Sequence, residues 1–205
     1  MTVIAFIKTK DKIYLGSDSL ASGSTDYLDF GSKVFKKPFY FETESLKMVP
    51  PHYFVIAFAG AIGVAEYLKY AFQMPEYDPL MSLEEYVTSS FLPSFRKALS
   101  DMGLLKTDSN GSQDSGLNFY IMYSNNIIEI QYNLTMFDSK MGFGAIGSGA
   151  IAAMGALDYS RKQTANPKAR LKKCINTASR LTSSVGGKPV IYTITQEDYG
   201  DLEDE

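Results

Sequence analysis

Two hydrophobic periods, one of strands and one of helices, occupy separate blocks of this chain, and that segregation constrains its fold more than any other feature. Val3–Thr9 and Lys12–Ser17 are β-like runs separated by Lys10-Asp11, which reads as a tight hairpin. Residues 21–44 form a longer excursion, with Lys33-Val34-Phe35 and Phe39-Tyr40-Phe41 placed to form a short extra hairpin. Leu46–Val49 and Tyr53–Phe58 are strand-like again, split by Pro50-Pro51, which lacks the N–H groups a ladder needs. The period then changes. Val64, Leu68 and Phe72 lie at helical spacing. A second helix is predicted from Ser82, with Glu85 completing a capping box and Pro93 expected to kink it.

The second half repeats the sequence of blocks. Residues 106–116 are polar and rich in Gly, Ser and Asp, which predicts a loop. Leu117–Tyr123 and Ile127–Tyr132 read as a hairpin, and Phe143–Ile146 as a short strand. Ser148–Tyr159 is an Ala- and Gly-rich helix pattern suited to close packing. Asn166-Pro167 is a helix start, with Leu171, Cys174, Ala178 and Leu181 on one face. Pro189–Thr195 is the last strand, and the acidic tail over 196–205 is expected to fray. Strands, two helices, strands, two helices and a strand argue for an α+β fold. The arrangement predicted is a four-layer αββα sandwich of two antiparallel sheets between helix layers, built as one domain over residues 1–205.

Composition removes several function classes. The net charge of −3 gives no reason to expect nucleic acid or an anionic membrane as the main partner. No apolar run approaches the roughly 20 residues that span a bilayer. A single cysteine excludes an intrachain disulfide and fits a reducing, cytoplasmic setting. With one histidine, His52, a Ser-His-Asp triad has a single candidate base, and a His/Cys zinc site lacks ligands. Cys174 belongs to an apolar helix face, which favours burial over nucleophilicity. Gly142, Gly144, Gly147 and Gly149 do not match a phosphate-cradle spacing. No cofactor or metal is expected.

One mechanism needs neither histidine nor metal. A hydroxyl at the mature N-terminus uses its own α-amine as base, and that amine has an ordinary pKa of about 7.7–8.0. Thr2 stands where such a nucleophile would stand once Met1 is removed. A small side chain at this position permits that removal, and the threonine opens a strand. A β-branched side chain with restricted χ1 keeps the hydroxyl aimed.

Thr2-Val3-Ile4-Ala5-Phe6 followed by Gly16-Ser17-Asp18-Ser19 resembles the opening of proteasome β subunits and of the bacterial heat-shock-locus peptidases, both N-terminal-nucleophile hydrolases. The resemblance runs in order through the chain. It implies that Asp18, 16 residues after Thr2, supports a lysine near the threonine. It assigns that lysine to Lys47, ahead of the Phe58-Ala59-Gly60 turn. Lys33 is closer to Thr2 in sequence but would leave a long gap before Gly60. This choice requires an insertion of about a dozen residues between Ser22 and Lys47, placed in the extra hairpin. The resemblance also makes the Gly60 N–H the oxyanion donor and Ser148, in Gly147-Ser148-Gly149, a proton relay beside the amine. Ser22, Phe58, Gly60 and Ile62 become substrate contacts, with Phe58 at the base of the main specificity pocket.

Two positions depart from the family pattern. Thr182 stands where an aspartate is usual and Val185 where a serine is usual, ahead of Gly186-Gly187. Both changes thin the expected support around Thr2. The resemblance implies a threonine peptidase that cleaves unfolded polypeptides inside a homo-oligomeric ring or double ring, served by an ATP-dependent unfoldase. A non-catalytic ring or scaffold subunit and a small-molecule amidase are the alternatives. The expected intact mass is that of the chain without Met1; a retained Met1 would leave Thr2 with no free amine in that preparation.

Overall fold

The computed structural model describes residues 2–22, 27–29, 32–40, 52–78, 80–138, 140–163 and 165–199, without side chains for 21, 22 and 27–29. The strands are β1 (Ile4–Lys8), β2 (Ile13–Ser17), β3 (Leu20–Ser22), β4 (Tyr27–Asp29), β5 (Val34–Phe39) and β6 (His52–Gly60), then β7 (Lys106–Thr107), β8 (Gln113–Asp114), β9 (Leu117–Tyr123), β10 (Asn126–Ile130), β11 (Met136–Asp138), β12 (Phe143–Ile146) and β13 (Val190–Ile194). The helices are α1 (Ile62–Glu66), α2 (Leu83–Tyr86), α3 (Leu92–Asp101), α4 (Ala150–Ser160) and α5 (Pro167–Leu181). Contacts divide the chain into two compact units.

The first unit comprises Met1–Val34, Ala57–Gly60 and Ser139–Thr195. Its sheet has the order β12-β1-β2-β13, with every neighbouring pair antiparallel. Alternate residues of β1 point to one face, and Val3, Ala5 and Ile7 pack there with Leu171, Cys174 and Ile175 of α5. Leu181, expected on that inner face, is exposed instead, and Ile175 takes the inward position. The Asn166 side chain caps α5 by accepting from the N–H groups of Lys168 (3.0 Å) and Ala169 (3.2 Å).

The second unit comprises Phe35–Ile56, Ala61–Asp138 and Gln196–Glu205. The five-stranded sheet has the order β11-β10-β9-β6-β5. This unit's core is aromatic: Phe54 stacks on Phe39 at 4.1 Å and on Tyr86 at 5.4 Å, and Phe91 stacks on Phe95 at 5.4 Å. Ser82 Oγ accepts the Glu85 N–H at 3.1 Å, as the capping box predicts. The expected kink takes the form of a π-helical stretch, Val87–Phe91, between α2 and α3. Pro93 lies in the first turn of α3; its missing N–H cannot close an α-helical bond, and the wider turn before it absorbs the mismatch. A second π-helical stretch, Tyr67–Ala71, continues α1.

Three sequence expectations change. Residues 34–39 form one continuous strand rather than half of a small hairpin, because Val34-Phe35-Lys36-Lys37-Pro38-Phe39 belongs to the edge of the five-stranded sheet. The 106–116 loop contains the β7–β8 hairpin. The tail does not fray throughout: Gln196–Tyr199 is a 3₁₀ turn with Tyr199 buried and Lys36 paired with Asp198 at 3.0 Å. The strand expected at Leu46–Val49 lies outside the described residues.

Two glycines set how closely α4 approaches the chain start. Gly147 has φ +93°, and a Cβ there would sit 2.2 Å from the Thr2 carbonyl oxygen. A Cβ on Gly149 would sit 2.9 Å from Val3 Cβ and 3.0 Å from Val185. Gly147→Ala therefore combines a left-handed backbone with a clash against main chain, and is expected to cost at least about 2 kcal/mol. Leu171→Ala, a plain cavity in the same unit, should cost about 2–5 kcal/mol. Urea unfolding followed by circular dichroism checks both.

Candidate functional site

β1 and β2 bring Thr2 and Asp18 together. The Val3 N–H donates to Asp18 Oδ1 at 3.0 Å, and the Asp18 N–H donates to the Val3 carbonyl at 3.3 Å. The antiparallel register that pairs Ile4 with Ser17 fixes this crossing. Asp18 is fully buried, and its second oxygen accepts from the Gly186 N–H at 3.3 Å. A buried carboxylate needs such donors, because nothing else replaces the water it lost.

The lysine that meets these residues is Lys33. Its Nζ lies 2.7 Å from Asp18 Oδ1, 2.7 Å from the Leu20 carbonyl and 2.5 Å from Thr2 Oγ1. Three acceptors match the three protons of an ammonium. Lys33 is 2% exposed. Burial lowers its pKa below the ordinary 10.5, while the Asp18 carboxylate works in the opposite direction.

Lys47 itself lies outside the described residues, but the position given to it beside Thr2 and Asp18 is occupied by Lys33. The long gap before Gly60 has a simple reason. Residues 40–51 separate β5 from β6, so a lysine directly ahead of β5 stands well before Gly60 in the sequence. Lys33 directly precedes β5, and its carbonyl accepts the Phe58 N–H at 3.1 Å, which joins the start of β5 to the end of β6. Burial alternates over 33–39, but the sequence does not show it, because Lys33 and Lys37 take inward positions beside Phe35 and Phe39.

The end of β6 lies close to the threonine. Ala59 packs near Gly147, whose α-carbon faces the Thr2 carbonyl, and Gly60 follows with φ +124°. Phe58 is buried in this stretch. Ser22 ends β3 without a described side chain, and Ile62 opens α1 in the second unit. Ser148 Oγ is 3.4 Å from the Thr2 carbonyl oxygen, and the Gly149 N–H donates to the same oxygen at 3.3 Å.

Thr182 and Val185 behave differently from each other. Thr182 ends α5, with its N–H bonded to the Ala178 carbonyl at 2.9 Å. Val185 turns into the apolar core beside Val3 and Ala178. That turn directs the preceding residue the other way. Ser184 is buried, with its hydroxyl 3.3 Å from Ser148 Oγ. A buried hydroxyl thus lies one residue before Val185, beside Ser148.

Other candidates fall away from this cluster. Cys174 is buried against α5's own Leu171 carbonyl, and burial pushes its thiol up to about 12. His52 begins β6 in the second unit, among Phe39 and Tyr123. Among the described residues no group of three or more His, Cys, Asp or Glu side chains is placed to hold a metal ion. None of the described helices is long and apolar enough to cross a membrane.

No protein-family model matches the chain, and no curated protein matches it. Solved structures do match. BPH from Thiobacillus denitrificans aligns over 95% of this chain and 98% of its own, with a TM-score of 0.69 and 15% identity. HslV from Trypanosoma brucei aligns over 94% of this chain and 99% of its own, with a TM-score of 0.58 and 16% identity. The Anbu complex of Pseudomonas aeruginosa, solved as a helical assembly, covers 96% of this chain and 83% of its own, with a TM-score of 0.64 and 12% identity. Near-complete coverage in both directions, at identities this low, is agreement in architecture: the chain has the α+β N-terminal-nucleophile hydrolase fold of the proteasome-β-like proteins, two antiparallel sheets with helices.

Proposed function

We propose that this protein is a threonine peptidase whose nucleophile is Thr2 after removal of Met1. The observation that carries this reading is the buried contact of Lys33 Nζ with both Thr2 Oγ1 and Asp18. A threonine that merely follows a start methionine has no need of a buried lysine on its hydroxyl.

The chemistry follows from the geometry. Burial disfavours the Lys33 ammonium, so the neutral amine is within reach and accepts the Oγ1 proton as Oγ1 attacks a peptide carbonyl. The Gly60 N–H, unobstructed by a side chain, donates to the developing oxyanion. The C–N bond then breaks, and the proton passes through the α-amine of Thr2, freed by loss of Met1, to the leaving nitrogen. Water hydrolyses the resulting ester and regenerates the hydroxyl. Ser148 meets the Thr2 carbonyl oxygen and is itself in hydrogen-bond contact with Ser184. Asp18 keeps Lys33 in place. Phe58 at the base of the specificity pocket would favour small or medium apolar side chains, with Ser22 and Ile62 as further substrate contacts. The working form is a homo-oligomeric ring or related assembly that takes unfolded polypeptide, in the cytoplasm, with an unfoldase as possible partner. Anbu, solved as a helical assembly, supports the assembly part of this reading.

BPH was solved with epoxomicin, a reagent that probes such a site. A Met1-free sample is expected to gain one epoxomicin mass, with Thr2→Ala giving none and Thr2→Ser retaining the adduct. An unmodified Met1-free wild type would turn the assignment to a non-catalytic subunit. Hydrolysis of an acylated small molecule but not of unfolded casein would turn it to an amidase.

Lys33→Ala should slow adduct formation by at least about 10²–10⁴-fold, whereas Lys47→Ala should leave it unchanged. Circular dichroism of each variant separates lost chemistry from lost folding. The deprotonated base is the active form, so cleavage should rise with pH. Because burial lowers the Lys33 pKa, the rise should be complete below 10.5, the ordinary lysine value. A rate that falls over that range would assign the proton transfer elsewhere.

A further inference from the structure

Helix α4 has almost no polar face. Over Ala150–Ser160 its sequence is AIAAMGALDYS, and a helix apolar all round belongs in a buried place. Yet Ile151 is 91% exposed and Tyr159 is 70% exposed. With Gly155 between them, these residues lie four apart and share one face. Nothing within 4 Å stands over a Cβ built on Gly155. Exposed apolar side chains grouped like this mark a contact surface.

The surroundings of this face are strongly basic. Arg161, Lys162, Lys168, Lys172, Lys173 and Arg180 are all exposed. Asp158 is the one acidic residue between positions 150 and 188, and Arg161 already faces it at 3.5 Å. This is a local excess of positive charge in a chain whose net charge is −3. A second copy's α4–α5 face would therefore repel it.

The second unit carries the opposite combination. Leu80 is 93% exposed and Tyr70 is 72% exposed. In the same stretch Glu66, Glu76 and Glu85 are exposed, Asp78 and Glu84 are half-buried, and Lys69 is the one base between positions 62 and 86. Glu84 and Asp78 crowd Tyr77 with negative charge. Beside them a concave site of about 340 Å³ is lined by Tyr77, Met81, Leu83, Glu84 and Tyr123 among others.

We infer that the basic, apolar face of α4–α5 in one copy docks on the acidic, apolar face around α2 of the next copy. The two faces differ, so the contact is head-to-tail. Such a contact closes a ring or continues as a filament, depending on its rotation. This extends the assembly part of the proposed function by naming its surfaces, and it does not depend on the chemistry at Thr2.

Sedimentation velocity on the full chain tests it, at about 0.1 M and about 1 M salt. The wild type is expected to assemble at low salt and to shift towards monomer at high salt. Lys172→Glu with Lys173→Glu should give a monomer, and so should Glu76→Lys with Glu85→Lys. All four changes in one chain should restore assembly, as should mixing the two double variants, because opposite charges then face each other again. Circular dichroism confirms that each variant is folded. Assembly that survives either double reversal overturns the inference. So does a folded quadruple variant that stays monomeric. A wild type that is monomeric at low salt also overturns it, and heparin binding lost in the Lys172/Lys173 variant would then assign the basic face to an anionic polymer. Epoxomicin labelling of the same samples reads the peptidase proposal separately.

Discussion

A lysine ammonium taken out of water organises the first unit. Lys33 and Asp18 sit 2.7 Å apart with their side chains 3% and 1% exposed. Removing two charges from solvent costs more than their attraction returns unless every remaining donor and acceptor is satisfied. Here that condition is met. The lysine has three acceptors, and the carboxylate also takes the N–H groups of Val3 and Gly186. The pair therefore ties together four separate stretches: the chain start, the end of β2, the residue before β5 and the turn after α5. Loss of either partner would leave the other charged and unpaired in a buried place, so the same contact carries both stability and chemistry.

Close backbone approach does the rest of the positioning. Thr2 is held through its carbonyl oxygen by Gly149 and Ser148 at the entry of α4. Gly147 and Gly149 allow this because a side chain at either place would meet main chain or the Val3 side chain. The apolar burial of Val3 and Val185 pulls the same region inward. With Val185 taken into the core, Ser184 sets its hydroxyl 3.3 Å from Ser148 Oγ. Around Thr2, Ser148 meets the carbonyl oxygen and Lys33 the hydroxyl, and Asp18 holds Lys33.

The second unit is organised by different means. Its sheet and helices close around stacked and edge-on aromatic rings, and two π-helical stretches adjust its helices to that packing. Polar groups there serve mainly to cap and terminate: Ser82 at α2, and Lys37, whose ammonium donates to the Lys69 carbonyl at 3.0 Å near the end of the first π-helical stretch. Charge is left for the surface, where the acidic surroundings of α2 contrast with the basic surroundings of α5.

Local patterns in the sequence were enough for the elements and the class of fold. Short apolar runs flanking turn residues located β1, β2, β9 and β10, capping residues located α2 and α5, and the block order implied two antiparallel sheets with helices. Those signals are short-range, and each rests on residues a few positions apart. Thr2 stood out by its place after Met1, while Asp18 and Ser148 were picked out by the resemblance; the structure sets Asp18 on the Val3 N–H and Ser148 near the Thr2 carbonyl. Only the tertiary structure brought Lys33 onto Thr2 and Asp18, because the spacing to Gly60 says nothing about which lysine the fold carries inward. It also placed the Ser184 hydroxyl beside Ser148, turned Leu181 outward and buried Tyr199. Those choices depend on which side chains compete for the same buried volume, and residues far apart in the chain settle that competition.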